Sequence, residues 1–375
     1  MTNPLLRPSP LPFSLPPFAD IRVSHYAEAA EAGFAEHLAE IRAITENREP
    51  ATFENTAVAM ERSGQQLQRT SAAFFTLVSA DATDDIRDLE TELSPRFSAH
   101  QDEVFLNRAL YERFAAIETS GLDAESERLV EEYLKEFRQS GIQLEEPGQA
   151  RLRELNAELS RLGTEFGQKV KEGMKSAALL LDDAAELAGM PADDVARAAE
   201  AARAAGHSGK YLLTLIQPTN QPALAILENR AIRRRLFEAS VARGSSGGPL
   251  DVMELARSMA KLRAEKATLL GFANYAELVV DRQTAPDFES VQSMLNRMAP
   301  AAVRNADREA AALAEAAGHP LAAWDRAFYS AKVRREKYEV DEQALRPYFE
   351  LDRVLNDGVF FAATSLYGIT FHERA

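Results

Sequence analysis

The stretch LRELNAELSRLGTEF, Leu152 to Phe166, sets Leu152, Leu155, Leu159, Leu162 and Phe166 at alternating steps of three and four residues. That spacing lines one face of an α-helix and has no strand counterpart. The seam covers only about two heptads, short of the three or four a coiled coil needs, so it reads as packing inside a helical domain. The same period recurs on either side. Ala27, Ala30, Phe34, Leu38, Ile41 and Ile44 mark one helix, ended before Pro50. Leu129, Tyr133, Leu134 and Phe137 mark another, and Val252, Leu255, Met259, Leu262 and Leu269 a third. Asp287 reads as the N-cap of a further helix, which Pro300 is expected to kink or divide. The fold class is therefore mainly α.

One region breaks the period. Ala177 to Leu181 and Tyr211 to Ile216 are short apolar runs flanking a helical segment, Pro191 to Ala205, and they read as two strands. Gly206, Ser208 and Gly209 make the turn into the second. The first 18 residues hold six prolines, and proline fixes φ, so this arm should be extended. Its Leu5, Leu6, Leu11, Phe13, Leu15 and Phe18 are expected to lie against the body. Gly244 to Pro249 (GSSGGP) reads as a flexible loop.

At 375 residues the chain is long enough for two or three domains. Its formal charge of −15 makes nucleic acid a poor partner, because such a field repels phosphate. There is no cysteine, which excludes disulfides and thiolate chemistry. The N-terminus has no basic segment leading into an apolar run, and no apolar stretch approaches membrane-spanning length. These features point to a cytoplasmic protein with no membrane partner.

Candidate chemistry is sparse. His25, His37, His100, His207, His319 and His372 never stand four residues apart, and no H-E-x-x-H occurs. His372-Glu373-Arg374-Ala375 matches the start of that motif only superficially. Gly244 to Gly248 fits G-x-S-x-G formally, but that elbow needs a strand running in, and a helical pattern precedes it here. No phosphate loop or dinucleotide fingerprint is present. The acid pairs Asp84-Asp85, Glu145-Glu146 and Asp182-Asp183 read as solvated surface, since sequence neighbours on a helix do not face one another. Arg230 and Arg233 to Arg235 could meet a peptide carboxylate, or could pair with acids such as Glu228 and Glu238. Trp324, Phe328 and Tyr329 could line a channel or fill a core. No residue is singled out as catalytic, cofactor-binding or metal-binding.

Several long segments together resemble the thimet oligopeptidase–neurolysin family of zinc peptidases, most of all its bacterial peptidyl-dipeptidases. The clearest runs from Trp324 to Arg374, with LRPYFEL (Leu345–Leu351) and LYGITF (Leu366–Phe371) inside it. LRAEKATLLGFANYAEL (Leu262–Leu278), NRAIRRRLFEASVARG (Asn229–Gly244), ELAGMP (Glu186–Pro191), ATFENTAVAMERSG (Ala51–Gly64) and LPFSLPPFADIRVSHY (Leu11–Tyr26) carry the likeness almost to the start.

The resemblance implies a helical, two-lobed protein around a narrow channel that admits short peptides. It also implies zinc held by the two histidines of H-E-x-x-H and a downstream glutamate, with dipeptides released from peptide C-termini. It implies an N-terminal helical domain over residues 1–225 with the β element near 177–216. Residues 226–375 would begin a catalytic domain that stops before the zinc motif. Zinc would then belong to the intact family member and to no residue here, leaving this chain inactive alone. A monomer acting on short peptides is implied, with the missing C-terminal catalytic half as a further partner. The alternative is a non-catalytic peptide-binding or scaffold fragment. On either reading the helices from residue 251 onward should expose apolar side chains that the missing half would cover.

Overall fold

The computed structural model describes residues 3–215, 221–338 and 342–373. The main elements are α1 (Val23–Thr45), α2 (Gln65–Ala80), α3 (Asp84–Phe105), α4 (Arg108–Ala115), α5 (Ala124–Gln139) and α6 (Glu146–Ser176). Next come β1 (Leu179–Leu181), α7 (Ala192–Ala204), β2 (Tyr211–Leu213) and α8 (Arg230–Val241). Then follow α9 (Met253–Leu269), α10 (Tyr275–Val280), α11 (Phe288–Ala317), α12 (Arg326–Tyr338) and α13 (Phe361–Tyr367). Among the described residues no helix is long and apolar enough to cross a membrane. The chain divides into two compact units: Met1–Gly173 with Arg243–Arg297, and Met174–Ala242 with Met298–Ala375.

The first unit is helical and has two apolar centres. Tyr26, Ala29, Ala30 and Phe34 of α1 pack on Leu67, Phe74 and Val78 of α2 and on Ile86, Leu89 and Leu93 of α3. Gly33 sets how closely α1 and α2 approach, because a Cβ there would lie 2.9 Å from the Leu67 Cα and 2.3 Å from the Gln66 Oε1. Farther along α1, Ile41 and Ile44 join Val104, Phe105, Leu110, Phe114 and Phe137 in the second centre. Burying each such side chain contributes about 1.5–3 kcal/mol. On α6, Leu152, Leu155 and Leu162 are buried and Leu159 and Phe166 half-buried, so the opening seam serves ordinary packing.

The second unit holds the two strands, paired antiparallel with Leu179 opposite Leu213 and Leu181 opposite Tyr211. Ile216, placed by sequence in the second strand, lies outside the described residues. Leu179, Leu181, Leu187, Leu213, Ile232 and Leu236 form this unit's core. Gly189 shows why ELAGMP carries a glycine. Its φ is +91°, and a Cβ would lie 2.2 Å from the Ile226 carbonyl oxygen, where Glu228 N also bonds Ala188 O at 2.9 Å.

Two expectations from sequence need correction. α11 begins after the Asp287 cap, whose carboxylate accepts from Ser290 N at 2.7 Å, but it runs through Pro300 without dividing. A proline removes one backbone donor, and Ala299, Ala301 and Ala302 around it are strong helix formers. The N-terminal arm buries Leu5 alone of its six large apolar side chains. Leu6, Leu11, Leu15 and Phe18 are exposed, and so is Phe13, at a left-handed φ of 58°. The arm also folds into short 3₁₀ turns at Pro4–Leu6 and Pro12–Ser14, because proline suits the first position of such a turn.

Exposed apolar side chains concentrate late in the chain, in keeping with the expectation for the helices from residue 251 onward. Met253, Val279, Met294, Leu295, Met298 and Val303 are exposed. So are Leu345, Tyr348, Phe349, Leu351, Phe361, Leu366, Tyr367 and Phe371.

Candidate functional site

The arginines of α8 and the aromatic segment at the start of α12, two of the sequence candidates, come together in the second unit around Asp325. This aspartate closes a short 3₁₀ turn, Ala323–Asp325, and is fully buried. Arg230 grips it with Nε at 3.0 and 3.1 Å and Nη2 at 2.7 Å. Arg233, 2% exposed, reaches the same carboxylate with Nη2 at 3.1 Å, and its Nη1 donates to the carbonyls of Leu227 and Glu228 at 2.8 and 3.0 Å. The Ala322 backbone N–H adds a bond at 3.1 Å. The Arg230 guanidinium, above all, holds the Asp325 carboxyl well below the usual carboxylate range against the opposing pull of burial. Asp325 is therefore a fixed anion. It cannot trade protons near neutral pH, and the cluster does no acid–base chemistry.

The aromatic side chains share this node. The Arg233 guanidinium lies 4.2 Å from the Phe328 ring centroid, and that of Arg234 lies 5.1 Å from Trp324. Phe237 meets Trp324 edge-on. Tyr329 bonds His319 Nε2 through its hydroxyl at 3.1 Å. Arg234 pairs with Glu238, as the sequence allows for an i,i+4 couple, and Arg235 reaches Glu186 at 3.5 Å. Each of the four arginines thus has a carboxylate partner inside the protein. The arrangement clamps α8 to the segment entering α12.

The histidines scatter, with one exception. His37 on α1 and His100 on α3 face each other, Nδ1 to Nε2, at 2.8 Å. His37 Nε2 lies 3.2 Å from Ser63 Oγ, which spends its proton on the Met60 carbonyl at 2.6 Å. These roles fix a directional chain: His100 Nε2–H donates to His37 Nδ1, and His37 Nε2–H donates to Ser63. Burial pulls His100 down to about 4, helped by His37. Burial also lowers His37, against an opposing Glu40. Sequence spacing could not have found this pair, which is 63 residues apart.

Zinc needs three or four ligands around one point. Among the described residues no group of three or more His, Asp or Glu could hold a metal ion. The His37–His100 pair does not fit one either, since its facing nitrogens share a proton and Glu40 is engaged by Gly64 N at 2.7 Å. Asp84-Asp85, Glu145-Glu146 and Asp182-Asp183 are all exposed. The Gly244–Pro249 loop follows a helix and is tied by Gly247 N to Asp251 at 2.9 Å, so it is no nucleophile elbow.

Residues 223–375 match the sequence profile of Peptidase family M3. The chain is 38% identical over 381 residues to the dipeptidyl carboxypeptidase of Escherichia coli K12, a match that takes in 99% of this chain and 56% of that protein. It is 31% identical to oligopeptidase A of Salmonella typhimurium, over 100% of this chain and 56% of the relative. The organellar oligopeptidase A of Arabidopsis thaliana is 30% identical, over 98% and 48%. The chain thus spans about half the length of the curated relatives it matches.

Proposed function

Because this chain belongs to peptidase family M3, we propose that it forms part of a zinc-dependent oligopeptidase that cuts short peptides and releases dipeptides from their C-termini. The observation that carries the dipeptide assignment is the identity to dipeptidyl carboxypeptidase, 38% against 30–31% for bacterial oligopeptidase A over nearly the same residues. In this reading the chain forms one wall of a channel between two lobes and acts as a monomer in the cytoplasm. The zinc ligands and general base reside on another polypeptide segment that carries H-E-x-x-H. The many exposed apolar side chains between Leu345 and Phe371 support such a complement, since soluble monomers rarely leave large apolar surface open. The chain's own residues then serve structure: the Asp325 clamp fixes α8 against α12.

The test is complementation. The purified chain is mixed with a polypeptide corresponding to the H-E-x-x-H-bearing half of a family member, with zinc, and offered an N-blocked peptide. Release of the C-terminal dipeptide from the mixture supports the proposal. A mixture that binds the peptide and leaves it whole points instead to the scaffold reading.

A further inference from the structure

Within the first unit, α3, α5, α6, α9 and α10 border a cleft of about 570 Å³ that the peptidase reading does not use. Asp102 of α3 and Lys266 of α9 line it. Asp102 is 7% exposed, and burial pushes its carboxyl up; burial likewise pulls the Lys266 ammonium down. Opposite charges withdrawn from water are ordinarily paired, because leaving either one buried without a partner is costly. Among the described residues these two form no ion pair. Each bonds Asn156 of α6 instead: Asn156 Nδ2 donates to Asp102 Oδ1 at 2.7 Å, and Lys266 Nζ donates to Asn156 Oδ1 at 2.6 Å. Asp102 Oδ2 and the remaining Lys266 protons bond no other described residue.

The Asn156 amide shows what shape suits the pair. It offers a donor to Asp102 and an acceptor to Lys266 about 2.2 Å apart. The head group of an α-amino acid offers the same order, an ammonium and a carboxylate oxygen about 3 Å apart. It is also neutral overall, so it leaves the charge balance of the buried Asp102 and the half-buried Lys266 undisturbed. A lone cation or lone anion would upset that balance. Leu278, Val279 and the Tyr275 ring supply an apolar wall, and the Glu136–Arg282 pair, bonded at 3.0 and 3.1 Å, closes charge at the rim.

We propose that this cleft binds a free α-amino acid with an apolar side chain. Its ammonium rests on Asp102, its carboxylate on Lys266, and its side chain against Leu278, Val279 and Tyr275. The site is independent of the peptidase reading.

Calorimetric titration of the whole chain with L-leucine tests this, with N-acetyl-leucine and leucine amide as controls on the same unaltered protein. The expected result is saturable heat from leucine and at least about tenfold weaker binding of each blocked analogue. Lys266→Met, checked by circular dichroism for an unchanged fold, should lose binding to the same degree. No saturable heat from leucine at millimolar concentration overturns the proposal. So does equal binding of the analogues, or unaltered binding by a folded Lys266→Met.

Discussion

The His37–His100 pair makes stability depend on pH in a way that can be isolated. His100 is buried against Phe34, and its proton chain runs one way, to His37 and on to Ser63. Protonating His37 at Nδ1 would set two N–H groups against each other, and charging His100 would put a cation into a nearly dry site. The native imidazole of His100 therefore binds a proton only near pH 4, against an ordinary 6.5. Between those values the unfolded chain holds more protons than the native one, so stability falls as pH falls. Below the native value the loss stops growing. At about 1.4 kcal/mol per pH unit, the loss reaches about 3 kcal/mol by pH 4. His37, shifted the same way with Glu40 opposing, adds a smaller part. The assay is urea unfolding between pH 7 and pH 4 for the wild type and for His100→Gln. Glutamine keeps an N–H to donate to His37 and does not titrate. Carboxylate titration is common to both proteins and cancels in the difference. The wild type should lose about 3 kcal/mol more than the variant across this window. Parallel curves would refute the argument, as would an NMR titration placing His100 near 6.5.

Other sites give sharper single-point tests. Asp325→Ala leaves the Arg233 charge buried without its carboxylate, and should cost about 3–5 kcal/mol in a denaturant titration. Gly33→Ala forces α1 away from α2 and should cost about 1–3 kcal/mol by the same measurement. Gly189→Ala meets both a left-handed φ and the Ile226 carbonyl, and should abolish cooperative unfolding, read by circular dichroism. The isolated chain should bind a hydrophobic dye, with binding reduced in Phe349→Ser/Leu351→Ser, since both side chains are exposed.

The helical fold was legible because burial on one helix face imposes a period that the chain cannot hide, as at Leu152, Leu155 and Leu162. The β element was legible for the converse reason, two short apolar runs with no helical spacing. Pro300 and the N-terminal arm misled because local rules were given the last word. One missing donor is tolerated within thirty helical residues, and of the arm's large apolar side chains only Leu5 enters the core. The arginine cluster was visible in sequence, but its principal partner, Asp325, lies about ninety residues on and follows no spacing rule. The same holds for His37 with His100 and for Asp102 with Lys266, which only tertiary packing joins.

The most direct test of the central proposal, that the peptidase chemistry resides on residues this chain does not carry, is hydrolysis by the chain alone. The purified protein is given a short N-blocked peptide and zinc, with a chelator in the control, and products are read by mass spectrometry. The account predicts no cleavage above the chelated control. Chelator-sensitive release of a C-terminal dipeptide would contradict it, and would return the chain's own histidines to consideration as zinc ligands.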